Sequence, residues 1–479
     1  MKEVRYELAV VGGGPAGMEA AITAAEAGVS TVLIDRYPQP GGQYYKELPA
    51  EFSARHRTKV EAEGDMLIRL LGGVEITRYF GTLVWGIFPK EGEKGWLIAL
   101  TGNESPRLIT ADSVILATGA YDLPMPFPGW TLPGVISAGA ALILVKIQRI
   151  LPGKRVLVTG SGPLLLSVAA HLIEGGAEVV EICEASKPFW KVIPYIPAIL
   201  GQTNRIEEGF KYFSTILRAK TPYRIGWSVV EARGNGKVEE AVIARLDNHL
   251  NPVPSSRRTV KVDTIISGYG LVPNNYLSRM MGCKHTYVVE KGGIVPERDE
   301  TMQTSLPSVY VVGDAGGIGG AELARLEGRV AGVAVASRLG RLGHSTAQWE
   351  YGKLRSLLRR QQRFAEMLGK VFVRGSDLFN LSTDETTICR CEEITRREIR
   401  AAIEMGARSV AEVKMLTRTG MGNCQGRMCE HSVRNAVMAF TGQSDLDIDK
   451  GGSYSIRPPL EPMTVEELAR AAQELNFSE

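Results

Sequence analysis

Val10-Val11-Gly12-Gly13-Gly14-Pro15-Ala16-Gly17 closes an apolar run that starts at Tyr6 and opens an alanine-rich helical pattern, Met18 to Ala27. Strand, glycine turn and helix in that order are the context in which G-x-G-x-x-G means a dinucleotide site rather than a loop. Gly12 permits the tight turn, Gly14 lets backbone approach a pyrophosphate, and Gly17 lets the helix lie close on the strand with its N-terminus toward the phosphates. The next strand, Ser30 to Ile34, ends in Asp35, 23 residues after Gly12, where a carboxylate takes the ribose hydroxyls. Gly12, Gly13, Gly14, Pro15, Ala16 and Gly17, with Asp35 and its neighbour Arg36, are the first candidate cofactor-binding residues.

The chain has 479 residues, too many for one core, so two to four domains are expected. Hydrophobic content of 44% and charged content of 23% describe an ordinary globular protein, and a net charge of +3 without a basic block argues against a nucleic-acid partner. Met1 to Arg5 lead straight into the first strand with no room for a signal peptide. The longest apolar run, Val135 to Val145, is only 11 residues, short of the ~20 that span a bilayer. A cytoplasmic location is expected, with peripheral attachment to a membrane through a partner left open.

Further along, Pro38 to Gln43 is a turn-rich loop; in two-dinucleotide flavoproteins a loop at this place nears the flavin ring, which brings in Gly42 and Gln43. Short strands follow from Val74 to Leu100, and Ser113 to Leu116 leads into Ala117-Thr118-Gly119, where small residues let backbone pass close to a cofactor. Pro124, Pro126, Pro128 and Pro133 punctuate a linker around Trp130. A second unit then repeats the first: a strand to Gly160, the turn Gly160-Ser161-Gly162-Pro163-Leu164-Leu165, a helix, and a strand Glu178 to Cys183 ending at Glu184, 24 residues after Gly160. Leu165 replaces the small residue that allows close helix–strand packing, so this copy reads as degenerate. Ser186 to Pro222 reads as an elaborated loop–helix region, and strands follow near Arg224 to Ala232, Val238 to Leu246 and Val262 to Gly268. Val309 to Val312 ends in Gly313-Asp314 ahead of a helix from Ala321 to Leu339; a carboxylate at a strand C-terminus sits where open α/β sheets bind ligands. Leu354 to Leu368 reads as a solvated helical linker or a docking helix.

Four of the six cysteines crowd into the last quarter as Cys389-Arg390-Cys391 and Cys424-x4-Cys429, 32 residues apart with two helical patterns between, Thr395 to Met405 and Ser409 to Thr417. A reducing compartment makes this a metal site rather than a disulfide framework, and Cys183 and Cys283 read as buried or incidental thiols. Structural zinc favours pairs spaced by two to four residues, which C-x-C is not; two sulfide-bridged irons fit four thiolates better, with zinc and a redox-thiol site as alternatives. Arg390, Arg396, Arg397 and Arg427 could offset the thiolate charge. No C-x-x-C accompanies the dinucleotide motifs and the six histidines are scattered, so no catalytic acid–base residue is assigned; His171, in an apolar helix, reads as packing.

Taken in order, Gly12 to Gly17, Ala117 to Ala120, Pro126-Phe127-Pro128-Gly129-Trp130-Thr131-Leu132-Pro133-Gly134, Gly313-Asp314, the four cysteines and Arg457-Pro458-Pro459 resemble, over nearly the whole chain, a known family. It is that of the flavoprotein α or A subunits of heteromeric dye-linked amino-acid and opine dehydrogenases, the hydrogen cyanide synthase, opine oxidase, proline and hydroxyproline dehydrogenase group. The cysteine region resembles bacterioferritin-associated-ferredoxin-type [2Fe–2S] domains, with x4 in the second pair where the small ferredoxin has x2. The resemblance implies an α/β two-dinucleotide-binding-domain flavoprotein with a small helical iron–sulfur domain. Its domains would be a split FAD-binding domain (1–125 and 265–345), an inserted second nucleotide-binding-like domain (126–264), a helical linker (346–385), the [2Fe–2S] domain (386–443) and a tail (444–479). It implies FAD on the first turn and on Asp314, a [2Fe–2S] cluster on Cys389, Cys391, Cys424 and Cys429, and, in some members, FMN at a subunit interface or another adenine nucleotide, ATP or NAD, in one fold. The implied function is electron relay from an amino-acid-oxidase-type β subunit to an external acceptor, a small ferredoxin-like protein being a further partner. Two other functions stay open: a self-sufficient NAD(P)H-dependent reductase, and a nucleotide-stabilised docking scaffold for a catalytic partner.

Overall fold

The computed structural model describes residues 4–47, 58–90, 92–102, 107–372 and 375–474. They form two compact units, one of Met1–Ala120, Pro273–Ala365 and Ile456–Glu479, the other of Tyr121–Val272 and Glu366–Ser455.

The first unit opens with β1 (Arg5–Val11), α1 (Pro15–Glu26), β2 (Thr31–Asp35), α2 (Lys59–Gly72), β3 (Thr77–Phe80), β4 (Leu83–Pro89), β5 (Trp96–Thr101) and β6 (Leu108–Leu116). The sheet order is β3-β2-β1-β6-β5-β4, with β3, β2, β1 and β6 parallel and the last two antiparallel. The strand Val309–Val311 joins the C-terminal end of β6 in parallel, at Val114 to Leu116. β2 is buried at all five positions, as a central strand covered on both faces must be, which is why it reads as an unbroken apolar run up to Asp35.

α1 starts at Pro15, three residues before the sequence pattern suggests, because proline suits the first helical position where no N–H bond is lost. It packs along the helix Ala321–Arg338. A Cβ on Gly328 would run into the carbonyl oxygen of Ala16, and one on Gly332 would stand 2.9 Å from that of Ala20. Two pairs with the same four-residue step mean that the helices run in the same direction with their backbones in contact. The helix His344–Val371 is longer than the Leu354–Leu368 pattern, and its Leu354 and Leu358 join the same core, so its first part is a packed element and not a solvated linker.

The second unit carries its own parallel sheet, in the order Tyr223–Ile225, Glu178–Glu184, Arg155–Gly160, Thr264–Gly268, Val135–Ser137, beside an antiparallel sheet of Trp227–Arg233, Glu240–Arg245 and Arg258–Lys261. The proline-punctuated stretch expected as a linker is instead core: Phe127 and Trp130 are buried with Val229, Ile243 and Tyr269. Leu378 and Leu381, from just ahead of the cysteine region, share that core, and Trp130 Nε1 donates to Thr387 O at 2.7 Å. The cysteine region consists of a small hairpin, Thr387–Cys389 with Ile394–Thr395, and the helices Arg396–Glu404, Val410–Thr417 and Glu430–Thr441. Its first two helices each open on a reciprocal capping box, Thr395 with Glu398 and Ser409 with Glu412. Leu446 and Tyr454 are buried among these helices. From Ile456 the chain belongs to the first unit, where Leu460 N donates to Trp85 O at 3.1 Å and Thr101 Oγ1 to Glu467 at 2.8 Å. Among the described residues no helix is long and apolar enough to cross a membrane.

Candidate functional site

The first glycine turn is built by steric necessity. Gly12 has φ of +111°, and a Cβ there would run into the carbonyl oxygen of Ala117; a Cβ on Gly17 would run into that of Gly12. The loop Ala117-Thr118-Gly119 is thereby drawn against the turn, and Ala117 N donates to Val11 O at 2.8 Å. Gly42 comes from the other side, where a Cβ would lie 2.8 Å from Gly14 Cα, and Gly41 N donates to Gly13 O at 2.8 Å. Gly313 closes the ring against Ala16. The turn, the Ala117–Gly119 loop, Gly42 and Gly313 therefore converge around one end of α1.

Asp35 is buried and locks this arrangement. Oδ2 accepts from Gly13 N, and Oδ1 accepts from Tyr37 N at 2.7 Å. Burial pushes its carboxyl above the ordinary range, against the pull of those two N–H groups and of Arg36 and Lys46. Asp35 is thus first a clamp on the turn, and a ribose would use its remaining lone pairs. Asp314 serves similarly: Oδ1 accepts from Gly319 N (2.9 Å) and Gly320 N (3.0 Å), shaping the loop that enters the helix Ala321–Arg338. Neither α1 nor that helix has a side-chain cap, so the first-turn N–H groups face outward, as an anion site requires. Thr118 Oγ1 donates to Asn274 O, and Asn274 N donates to Gly119 O at 2.8 Å. Arg36 is turned away, paired through both guanidinium nitrogens with Glu461 at 2.8 and 3.0 Å. Gln43 Nε2 donates to the Tyr37 hydroxyl at 2.9 Å.

The second fold repeats the clamp and then closes it. Glu184 Oε2 accepts from Gly162 N at 2.9 Å and Oε1 from Ser186 N at 2.8 Å, while Ser161 and Ser186 hydroxyls meet at 2.7 Å. Glu184 is 1% exposed, its carboxyl raised by burial. Leu165 is fully buried in a core with Val156, Val158 and Ile182. Since Leu165 cannot approach the strand as Gly17 does, the helix begins with two three-residue turns, Leu165 N to Gly162 O and Leu166 N to Pro163 O, where α1 forms a four-residue bond from Met18 N to Gly14 O at once. The Phe372 ring lies 3.9 Å from where a Gly162 side chain would start.

The four cysteines meet as two pairs. Cys389 contacts Cys429 and Cys391 contacts Cys424, with electrostatic coupling across the pairs. The Thr387–Thr395 hairpin presents Cys389 from the end of its first strand and Cys391 from its turn, and Cys429 is the N-cap of the helix Glu430–Thr441. The x4 spacing thus puts one thiol where the helix dipole favours negative charge. The Cys429 thiol and the N–H groups of Gly420, Glu392 and Cys391 bring Cys389 down to about 6, against burial; Cys429 moves the opposite way because it shares a proton with Cys389. Cys389 and Cys429 are buried, Cys424 half-buried and Cys391 exposed. Among the described residues no three Cys, His, Asp or Glu side chains converge on one metal-ion-sized point. Two thiol pairs are a donor set that suits two irons.

Two expected roles fail. Arg396 lies over the rings of Phe379 (4.7 Å) and Phe440 (5.2 Å) and donates to Ser382 O, and Arg397 pairs with Glu385, so neither offsets the thiolates. Arg427 stays beside the site, its Nη1 3.4 Å from Cys424 O, and Arg390 is exposed in the turn. Two residues were missed. Tyr454 packs on Gly420 and Gly426, with its hydroxyl 3.6 Å from Cys429 Sγ. Glu327, buried with Arg298 (2.9 Å), accepts from Gly313 N at 2.8 Å and so holds the turn that presents Asp314. A glutamate in the small-residue face of an alanine–glycine helix was the signal for it; nothing local marked Tyr454. His171 Nδ1 meets Ser167 O at 2.7 Å beside Tyr212, a packed side chain.

Comparison with known proteins completes the description. The model of the pyridine nucleotide-disulphide oxidoreductase family matches residues 6–340, and that of the BFD-like [2Fe–2S] binding domain matches residues 387–438. The chain is similar to the HcnB subunit of hydrogen cyanide synthase from Pseudomonas aeruginosa, 32% identical over 95% of this chain and 96% of that protein. It is similar to the A subunit of opine oxidase from Agrobacterium tumefaciens, 30% identical over 97% and 91%. In fold it resembles the crystal structure of L-proline dehydrogenase from P. horikoshii, with a TM-score of 0.68 and 21% identity, covering 98% of this chain and 80% of that one.

Two outcomes test the site. Asp35→Ala leaves the Gly13 N–H without its acceptor, which costs about 1–3 kcal/mol, so FAD binding read by fluorescence should weaken ~5- to ~150-fold, while Glu184→Ala leaves it within twofold. Cys429→Ser should remove the cluster absorption and its iron, and Cys183→Ser, at a buried thiol elsewhere, should leave both.

Proposed function

The chain belongs to the pyridine nucleotide-disulphide oxidoreductase family and to the group of HcnB and the opine oxidase A subunits; from that premise we propose that it is the electron-transfer subunit of a heteromeric amino-acid, amine or opine dehydrogenase. It is an oxidoreductase, a flavo-iron–sulfur subunit that binds FAD and a [2Fe–2S] cluster. In this reading an amino-acid-oxidase-type β subunit oxidises the carbon bearing the amine of proline, hydroxyproline, glycine or an opine. The present chain receives the electrons and delivers them to an external acceptor. When bound, FAD converts between two- and one-electron traffic and [2Fe–2S] carries single electrons.

The chain's own residues supply position and electrostatics. Gly12 to Gly17, Ala117 to Gly119, Gly42, Gly313 and Asp314 would hold FAD, with Asp35 fixing the turn and the uncapped helix ends facing its phosphates. Cys389, Cys391, Cys424 and Cys429 would ligate the cluster, two to each iron. The observation that carries the proposal is the pairing of a converged flavin turn with four gathered thiols in a chain aligned end to end with proteins that are each one subunit of an enzyme. The reductase alternative is weakened by the second fold, where the buried Leu165 stands at the place that Gly17 holds in the first turn.

The test is anaerobic titration of the chain co-purified with its partner subunit. Adding the cognate amino acid or opine should bleach the flavin and produce the reduced-cluster EPR signal, with no response from the chain alone. A fully loaded complex that stays oxidised with every candidate donor would make the chain a docking scaffold.

A further inference from the structure

Residues 188–218 form three helices, Pro188–Val192, Ile196–Leu200 and Thr203–Arg218, on the outside of the second unit. The last is fixed to the core by one face: Ile216 is buried, and Tyr212 stands 5.5 Å from the His171 ring. A second face points outward and is also apolar. Ile206, Phe210, Phe213 and Leu217 recur at steps of four, three and four, one stripe on an α-helix, and all are exposed, Phe210 by 74% and Leu217 by 59%. Trp190, 83% exposed, and Leu200, 71%, extend it onto the two preceding helices. Leaving so much aromatic and aliphatic surface in water opposes the hydrophobic effect, and patches of this size mark an interaction site.

Charge selects the occupant. Between Lys187 and Lys220 the chain carries six Lys or Arg (Lys187, Lys191, Arg205, Lys211, Arg218, Lys220) against two Glu, Glu207 and Glu208, a net of +4 where the whole protein has +3. Protein–protein interfaces are enriched in aromatics and depleted in lysine, and four of the six cations are lysines. Tryptophan, phenylalanine and leucine exposed together with lysine and arginine, on short helices that lie on a surface, is the pattern of interfacial helices on anionic bilayers.

We propose that residues 188–218 are a peripheral membrane-binding element that seats this protein on an anionic lipid surface, with Trp190, Phe210, Phe213 and Leu217 entering the headgroup boundary. The proposal is independent of the assigned electron-transfer role and of any partner chain.

Co-sedimentation of the full holoprotein with phosphatidylglycerol–phosphatidylcholine vesicles tests it. Binding should be strong on these, at least tenfold weaker on pure phosphatidylcholine, and reduced by high salt. Phe210→Asp with Leu217→Asp should weaken it at least tenfold while flavin and cluster absorption stay unchanged, and Lys191→Glu with Lys211→Glu, which leaves the apolar stripe intact, should also weaken it. Wild-type protein that remains in the supernatant with anionic vesicles overturns the proposal. So does an aspartate variant that binds as wild type does. If the protein ignores lipid and the same variant converts a dimer to a monomer, or fails to co-purify with the partner subunit, the patch is a protein interface and the membrane assignment is wrong.

Discussion

A carboxylate buried at the end of a strand must find N–H donors, and both nucleotide folds of this chain are organised around that requirement. Asp35 takes Gly13 and Tyr37; Glu184 takes Gly162 and Ser186. In each case the acid pins a glycine turn to the end of the neighbouring parallel strand, at the edge where open α/β sheets bind ligands. The two copies diverge one helical turn later. Gly17 lets α1 touch the backbone of its own strand turn, so the helix starts at Pro15 with its first N–H groups pointing into the space ringed by Ala117, Gly42 and Gly313. In the second fold the equivalent residue is Leu165, whose side chain is buried in the core with Val156, Val158 and Ile182. The duplicated motif thus keeps its acid clamp in both copies and differs in the residue that packs the helix on the strand.

The thiol site depends on a different device. At Cys389 the Cys429 thiol, and after it the N–H groups of Gly420, Glu392 and Cys391, favour the thiolate, and Cys429 stands at the start of the helix Glu430–Thr441. Fixed backbone dipoles cost no side-chain entropy, which leaves the nearby arginines available for stacking and ion pairing in the small domain's own core. Tyr454, packed on two glycines of the cysteine loops, closes the buried side, and Cys391 remains at the exposed one.

Much of this was legible in the sequence because the signals were local. The glycine turn, the acids 23 and 24 residues beyond Gly12 and Gly160, the Gly313-Asp314 strand end and the paired cysteines all depend on short spacing and on the few conformations that a strand–turn–helix unit permits. What escaped was long-range. The stretch around Trp130 looked like a linker because prolines punctuate it, yet Phe127 and Trp130 are core residues whose partners include Ile243, Tyr269 and Thr387, a hundred or more positions away. Arg396 seemed placed for the thiolates by sequence proximity, but its guanidinium lies over Phe379 and Phe440. Glu327 and Tyr454 act through tertiary contacts with Gly313 and Cys429 that no local pattern encodes. Arg36 was a candidate only as the neighbour of Asp35, and Glu461, over four hundred residues on, pairs with it.

The division of labour between the two folds is open to direct attack through nicotinamide nucleotides. If the second turn is structural and electrons enter from another chain, then anaerobic addition of NADH or NADPH to the isolated holoprotein leaves the flavin absorption and the EPR-silent cluster unchanged, while dithionite reduces both. Stoichiometric bleaching of the flavin by NADH, with the reduced-cluster signal appearing alongside, would contradict it and make the chain a reductase in its own right.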